Sequence, residues 1–153
     1  MPVLRHHSPL AFDVSAKVVI CRGDHVLLLR RPNGRWDLPG GKVRVHEHVV
    51  EGLAREVREE TGLALGPLSR LSTIRRTRSN GKRCVVVSFQ SCAIDTSAIE
   101  LSAEHEAFGY FGFDDVADLR LRAHHKQAVR HAFWALYPPA HQLTCLHSQM
   151  TAA

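Results

Sequence analysis

The stretch GGKVRVHEHVVEGLAREVREETGL, residues 40–63, holds five glutamates in a chain of formal net charge +5. Apolar side chains recur there at helical spacing from Glu47 to Thr61. The predicted buried stripe of this helix consists of Val50, Leu53, Ala54 and Val57. Gly62 follows at once and is a typical helix stop. The stretch therefore predicts one amphipathic helix that ends at Gly62.

Three carboxylates of this helix fall on one side. Glu56 and Glu60 are four residues apart, and Glu56 and Glu59 are three apart. Like charges at these spacings destabilise a helix by about 0.2–0.5 kcal/mol per pair unless a cation lies between them. We therefore expect a positive charge beside these glutamates.

The remaining patterns predict a sheet covered by helices. Two strand-like pairs are predicted as hairpins, the second around Asn80-Gly81: Ser15–Arg22 with His25–Arg31, and Leu68–Arg78 with Arg83–Ile94. A further strand and a terminal helix are predicted at Phe108–Phe113 and His124–Tyr137. The inward residues of that helix should be Ala128, Val129, Ala132, Phe133 and Leu136. This order of elements predicts an α+β fold with a mixed sheet sandwiched between helices.

Length and composition limit the class of protein. A chain of 153 residues predicts a single domain spanning 1–153, with a core from about 14 to 138 and flexible termini. No stretch has the apolar length to span a bilayer, and the N-terminus lacks a secretory signal, so we expect a cytoplasmic protein with no membrane contact. The four cysteines should be free thiols, with Cys84 and Cys92 in the core.

A fixed order of residues within residues 41–63 carries a family resemblance. Gly41 is followed after five residues by Glu47, and seven residues later by Arg55-Glu56-Val57, Glu59-Glu60 and Gly62-Leu63. This order resembles the Nudix box at every defining position, and the chain is similar to MutT-like members of the Nudix hydrolase superfamily. The resemblance implies an α/β/α sandwich and a pyrophosphohydrolase, an enzyme that hydrolyses diphosphate linkages with a metal ion.

The resemblance also explains the clustered carboxylates. Hard cations such as Mg²⁺ or Mn²⁺ prefer oxygen ligands and bridge carboxylates to phosphates. The implied metal ligands are Glu56, Glu59, Glu60 and a backbone carbonyl near Gly40. Such ions activate water and neutralise the leaving phosphate. The metal would be the expected positive charge.

A carboxylate that is not fully committed to metal would take the proton of the attacking water. Glu56 is the first choice for this general base, and Glu60 or Glu104 the second. Glu104 matches an acidic family position before an aromatic strand, for which Glu106 is the alternative. The family's box arginine corresponds to Arg55, which is expected to pair with Glu47 and to orient the site, unless that pair is a plain surface salt bridge.

The substrate is the least determined feature. Basic residues around the box predict phosphate binding by Arg30, Arg35, Lys42 and Arg44. Many relatives carry an acid where Arg44 stands, which leaves the number of metal ions open. The leading hypothesis is a nucleoside di- or triphosphate derivative, including oxidised dNTPs, that yields a nucleoside monophosphate.

Two alternatives and two minor questions stay open. The first alternative is an RNA 5′-end pyrophosphohydrolase that uses the basic segment 75–83, and the second is a non-catalytic nucleotide-sensing domain. Homodimers are common among the proteins that the chain resembles. Four aromatic residues could stack a base, but core positions are more usual for them: Trp36, Phe108, Tyr110 and Phe111.

Overall fold

The computed structural model describes residues 12–92 and 99–138. The strands are β1 (Asp13–Arg22), β2 (His25–Arg30), β3 (Trp36–Asp37), β4 (Ser69–Thr77), β5 (Arg83–Ser91) and β6 (Ala107–Gly112). The helices are α1 (Val49–Thr61) and α2 (Ala123–Leu136), and a 3-10 turn at Asp115–Ala117 precedes α2. The predicted strand end at Ile94, the predicted thiol of Cys145 and the predicted flexible termini, residues 1–11 and 139–153, lie outside the described residues.

The strands form one mixed sheet in the order β3-β2-β1-β5-β4, with β6 paired to β2. Both predicted hairpins are confirmed, since β1 pairs antiparallel with β2 and β4 pairs antiparallel with β5. β1 and β5 run parallel over eight registered pairs, from Asp13 opposite Cys84 to Ile20 opposite Ser91. This parallel pair places two strands that are distant in sequence at the middle of the sheet.

Alternate side chains of the central strands feed two separate cores. Val18 and Ile20 of β1 pack with Leu53 and Val57 of α1 on one face. On the other face, Val19 of β1 and Leu28 of β2 pack with Ala128, Val129 and Ala132 of α2. Because both faces of the sheet are covered, these strands read as continuous apolar runs. The arrangement confirms the α/β/α sandwich.

The predicted buried stripe of α1 is partly wrong. Val50 is 48% exposed and Ala54 is also exposed, whereas Leu53 and Val57 are buried as predicted. The other buried residues of α1 are Gly52, Thr61 and Glu60, and Glu60 is only 5% exposed. Because Glu60 turns toward the sheet to accept a backbone hydrogen bond, the buried face of α1 is rotated away from Val50 and Ala54.

The predicted burial of Leu136 and Cys92 is also wrong, because both residues lie at the end of their element or just after it. Leu136 is 44% exposed because α2 contacts the sheet through its middle, and Leu136 lies in the last turn. Cys92 is exposed because it follows the end of β5, while Cys84 within the strand is buried. Cys21, Cys84 and Cys92 are free thiols. Within residues 12–92 and 99–138, no helix is both long enough and apolar enough to cross a bilayer.

Candidate active site

Two glycines bring the loop before α1 against the helix. Gly40 has φ of 111°, and a Cβ there would lie 2.3 Å from the carbonyl oxygen of Ala16. A Cβ at Gly41 would lie 2.1 Å from Glu56 Oε2. Gly40 has no room for a side chain because the clash is with backbone, whereas a side chain at Gly41 would displace the Glu56 carboxylate. The backbone at Gly41 is therefore in close contact with the Glu56 carboxylate.

Glu60 lies beneath this loop. Its Oε2 accepts a hydrogen bond from the backbone N–H of Gly40 at 2.7 Å, and its Oε1 lies 4.0 Å from His105 Nε2. Burial raises the pKa of Glu60 to about 7, although the nearby Lys17 ammonium opposes that shift. The structure therefore places one of the three predicted carboxylates in the interior, where it gains and loses a proton near neutral pH.

The burial of Glu60 predicts a pH-dependent effect on stability. Between pH 4.5 and 7 the unfolded carboxyl is ionised while the folded one keeps its proton, so Glu60 makes the folded state less stable as pH rises. We expect Glu60→Gln to gain about 1–3 kcal/mol of unfolding free energy relative to the wild type from pH 5 to pH 8, because glutamine keeps the acceptor without the charge.

Chemical denaturation in EDTA at pH 5, 6.5 and 8 measures this difference. Glu51→Gln, on the exposed first turn of the same helix, controls for the loss of one negative charge. A difference between Glu60→Gln and the wild type that stays constant over the three pH values would show that burial does not shift this titration.

Arg55 lies among the other carboxylates. Its Nε donates to Glu47 Oε1 at 2.7 Å, and its Nη1 donates to Glu56 Oε1 at 2.8 Å and to Glu59 Oε2 at 3.1 Å. The predicted contact between Arg55 and Glu47 is thus present. The hydrogen bond from Arg55 also holds the pKa of Glu47 at about 2. In this structure the guanidinium of Arg55 supplies a positive charge beside Glu56 and Glu59, where a metal ion was expected from the sequence.

A cleft of about 460 Å³ opens beside α1, and we call it the carboxylate cleft. Glu104, from the turn before β6, lines it together with Glu56 and Glu59. The alternative Glu106 instead forms an ion pair with Arg30, at 3.1 Å. The fold therefore brings the loop acid Glu104 to the carboxylates of α1.

The side chains as they stand do not form a metal cage. Among the residues that the structure describes, no three Asp, Glu, His or Cys side chains are grouped so that they could hold an ion. Glu56 and Glu59 are hydrogen-bonded to Arg55, and Glu60 is hydrogen-bonded to Gly40. Metal binding would therefore require these carboxylates to exchange those partners.

The four predicted phosphate-binding cations are placed differently. Lys42 and Arg44 line the carboxylate cleft. Arg35 lines a separate pocket described below, and Arg30 lies in its ion pair outside these clefts. Two of the four cations thus line the same cleft as Glu56, Glu59 and Glu104.

A buried ionic cluster was not predicted from the sequence. Lys17 of β1 is 6% exposed and donates from Nζ to the carbonyl oxygens of Leu38, at 2.8 Å, and Gly40. The partners of Asp37 are Lys17 Nζ at 3.4 Å, Arg31 Nε at 3.2 Å and His125 Nδ1 at 3.0 Å. Although burial opposes ionisation, Lys17 and His125 hold the pKa of Asp37 well below its usual range. The available signal was one lysine inside the apolar run SAKVVICR.

This cluster borders a second cleft of about 490 Å³, which we call the central cleft. Polar residues from several elements line it, including Ser15, Lys17, Asn33, Asp37 and Gly41. The four aromatic residues that could stack a base line neither this cleft nor the carboxylate cleft. Three of them pack against the cores, as predicted. Trp36 contacts Phe111 edge-on at 4.6 Å near α2, and Tyr110 packs on the α1 side. Phe108 is 42% exposed and lines neither cleft.

Comparisons with known proteins agree with this geometry. The family model of the NUDIX domain matches residues 11–132. The chain is 32% identical over 113 residues to a MutT-like protein of Streptomyces ambofaciens, a match that covers 72% of this chain and 71% of that protein. It is 34% identical over 95 residues to the 8-oxo-dGDP phosphatase NUDT18 of Danio rerio, with 60% of this chain and 27% of that protein covered.

A solved structure of a Nudix hydrolase has the same fold. A MutT NUDIX hydrolase from Burkholderia pseudomallei superposes with a TM-score of 0.71 at 30% identity, over 79% of this chain and 98% of that one. The chain belongs to the Nudix domain family. It is thus an enzyme of the Nudix hydrolases, which act on pyrophosphate bonds and generally use divalent metal ions.

Proposed function

We propose that this enzyme uses Mg²⁺ or Mn²⁺ to hydrolyse a diphosphate linkage in a nucleoside di- or triphosphate derivative. The products are a nucleoside monophosphate and phosphate, pyrophosphate or another phosphorylated group. The observation that carries the proposal is the meeting of Glu56, Glu59 and Glu104 in one cleft with Lys42 and Arg44. A relative named as an 8-oxo-dGDP phosphatase supports an oxidised deoxynucleotide as the substrate. We also propose that the protein is a single domain, acts in the cytoplasm and can form a homodimer.

The chemistry of the donor set fits a hard divalent cation. Glu56, Glu59, Glu60 and the carbonyl oxygen of Gly40 would hold it, and all four donors are oxygens. The Gly40 carbonyl already accepts a hydrogen bond from Lys17, but a carbonyl oxygen has a second lone pair. The bound ion would supply positive charge against the phosphate oxygens and make a water a stronger acid.

The protein's own residues supply the proton transfer and the positioning. Glu56 lies against Gly41 at the edge of the carboxylate cleft and takes the proton of the attacking water, with Glu60 and Glu104 as the alternatives. Arg55 holds Glu56 and Glu59 in place through the two hydrogen bonds that its Nη1 donates. Lys42 and Arg44 bind the phosphate oxygens of the substrate.

The test is hydrolysis of a panel of substrates, resolved by chromatography. The panel contains dNTPs, 8-oxo-dGTP, 8-oxo-dGDP, ADP-ribose and 5′-triphosphorylated RNA, each with Mg²⁺, with Mn²⁺ and with EDTA. We expect hydrolysis of a nucleoside di- or triphosphate that stops in EDTA and in Glu59→Gln. The matched control Glu51→Gln removes a glutamate of the same helix outside the cleft and should keep the rate.

Two results would redirect the proposal. A preference for triphosphorylated RNA, with binding that weakens steeply as salt rises, would favour the RNA 5′-end alternative. That alternative rests on Arg76 and Arg78 of the basic hairpin, which line the central cleft. Binding of nucleotides without hydrolysis of any substrate would favour the sensing domain.

A further inference from the structure

A third pocket, of about 500 Å³, is lined by four arginines. We call it the arginine pocket and define it by Arg35, Arg76, Arg120 and Arg122. They come from the loop before β3, from β4, and from the segment that leads into α2. Within the described ranges, neither Asp nor Glu lines this pocket. The fold thus gathers four positive charges from distant parts of the sequence around one space.

The four arginines of the pocket lack the ion pairs with carboxylates that neighbouring cations form. Lys17 and Arg31 form ion pairs with Asp37, and Lys42 and Arg78 form ion pairs with Asp13. By contrast, none of the four arginines of the pocket forms an ion pair with any residue in the parts of the chain that the structure describes. Their charge is therefore available to a ligand.

The environment of the pocket supports an anionic ligand. Partial burial and the neighbouring cations Arg76 and Arg35 lower the pKa of Arg122, although Asp37 opposes the shift. His124 also lines the pocket, and its buried Nε2 has no hydrogen-bond partner among residues 12–92 and 99–138. A bound anion would relieve the repulsion among the arginines.

The three spaces adjoin one another. The arginine pocket shares Arg76, Ser79 and Arg122 with the central cleft. The central cleft in turn shares Lys42 with the carboxylate cleft, and its Gly41 lies against Glu56. A ligand whose diphosphate lies at the carboxylates therefore has a path through the central cleft to the arginine pocket.

We propose that the arginine pocket binds a second phosphate group of the substrate, carried on the sugar and remote from the diphosphate that is hydrolysed. The inference rests on the proposed function. Among nucleoside di- and triphosphate derivatives, it favours those that also carry a phosphate at the 3′ (or 2′) position over oxidised dNTPs, which lack that phosphate. Guanidinium groups bind phosphate through paired N–H donors, and a phosphate monoester accepts several of them. The aromatic side chains lie away from this path, so the far end is suited to an anion rather than to a stacked base.

The test compares two ligands that differ by one phosphate. Calorimetry in EDTA measures the binding of ADP and of adenosine 3′-phosphate 5′-diphosphate to the full chain. We expect the second ligand to bind the wild type about 10-fold tighter or more. The gap should shrink in Arg122→Gln and close in the double variant Arg76→Gln/Arg122→Gln, because both arginines line the pocket. Arg70→Gln is the control, because Arg70 is exposed on the same strand as Arg76 and lines none of the three spaces.

Equal affinity for the two ligands, or a gap that survives in the double variant, would overturn the inference. Affinity that keeps rising with the length of a 5′-triphosphorylated oligoribonucleotide, beyond the first added phosphate, would also overturn it, in favour of RNA. A parallel assay of hydrolysis in Mg²⁺ separates the two proposals. A binding gap without hydrolysis rejects the proposed function alone, and hydrolysis without a gap rejects the arginine pocket alone.

Discussion

Glu56→Gln is expected to lower kcat by about 10²–10⁴-fold, the range of a general base whose proton transfer is lost. Glutamine has the size of glutamate but cannot accept the proton of the attacking water. The carboxylate of Glu56 is next to Gly41 and lines the carboxylate cleft, so it is close to any diphosphate bound there. Steady-state kinetics with the best substrate of the panel, at saturating Mg²⁺, would measure the effect.

The same experiment must separate proton transfer from metal binding. Mn²⁺ affinity, measured by calorimetry, should change much less in Glu56→Gln than kcat does if Glu56 acts mainly as the base. Glu104→Gln is the matched comparison, because Glu104 lines the same cleft from another element. If Glu104→Gln loses the larger factor in kcat and Glu56→Gln loses mainly metal affinity, the roles of the two glutamates are reversed.

The sequence could group three glutamates as a candidate site because they are local. Glu56, Glu59 and Glu60 lie within five consecutive residues of one helix, so helical spacing alone places them near one another. The layers of the fold followed from apolar runs of strand length on either side of that helix. Local patterns of this kind do not depend on how distant segments meet.

Burial was predicted less well, because it depends on which face of α1 meets the sheet. Apolarity favoured Val50 and Ala54, but both are exposed. The side chain that turns inward is Glu60, whose carboxylate satisfies the backbone N–H of Gly40. A buried donor without a partner costs about 1–3 kcal/mol, and that cost outweighs the gain from burying one more alanine. Spacing within a helix cannot reveal a hydrogen bond to a loop 20 residues away.

Contacts between distant segments were outside the reach of local patterns. The parallel pairing of β1 with β5 joins segments about 70 residues apart, and it brings Arg76 of β4 to the same edge as Arg122. His125 likewise reaches Asp37 from the far end of the chain. The charges of these residues are visible in the sequence, but their grouping is a property of the topology.

Lys17→Met is expected to lower the free energy of unfolding by about 3–5 kcal/mol. Methionine fills a similar volume, but it leaves the buried carboxylate of Asp37 without the ammonium 3.4 Å away. It also removes the donor to the carbonyl oxygens of Leu38 and Gly40, which hold the loop before α1. Urea denaturation at pH 7 would measure the loss.

A double variant shows whether the loss comes from the unpaired charge. Lys17→Met/Asp37→Asn removes both ions, so it should recover a substantial part of the stability that Lys17→Met loses, since asparagine can be buried without an ionic partner. Lys42→Met, an exposed lysine that forms an ion pair with Asp13, should cost less than about 1 kcal/mol. The single variant Asp37→Asn completes the comparison. If the double variant loses the sum of the two single losses, the two residues act independently. The charge pair would then not explain why a lysine lies inside this strand.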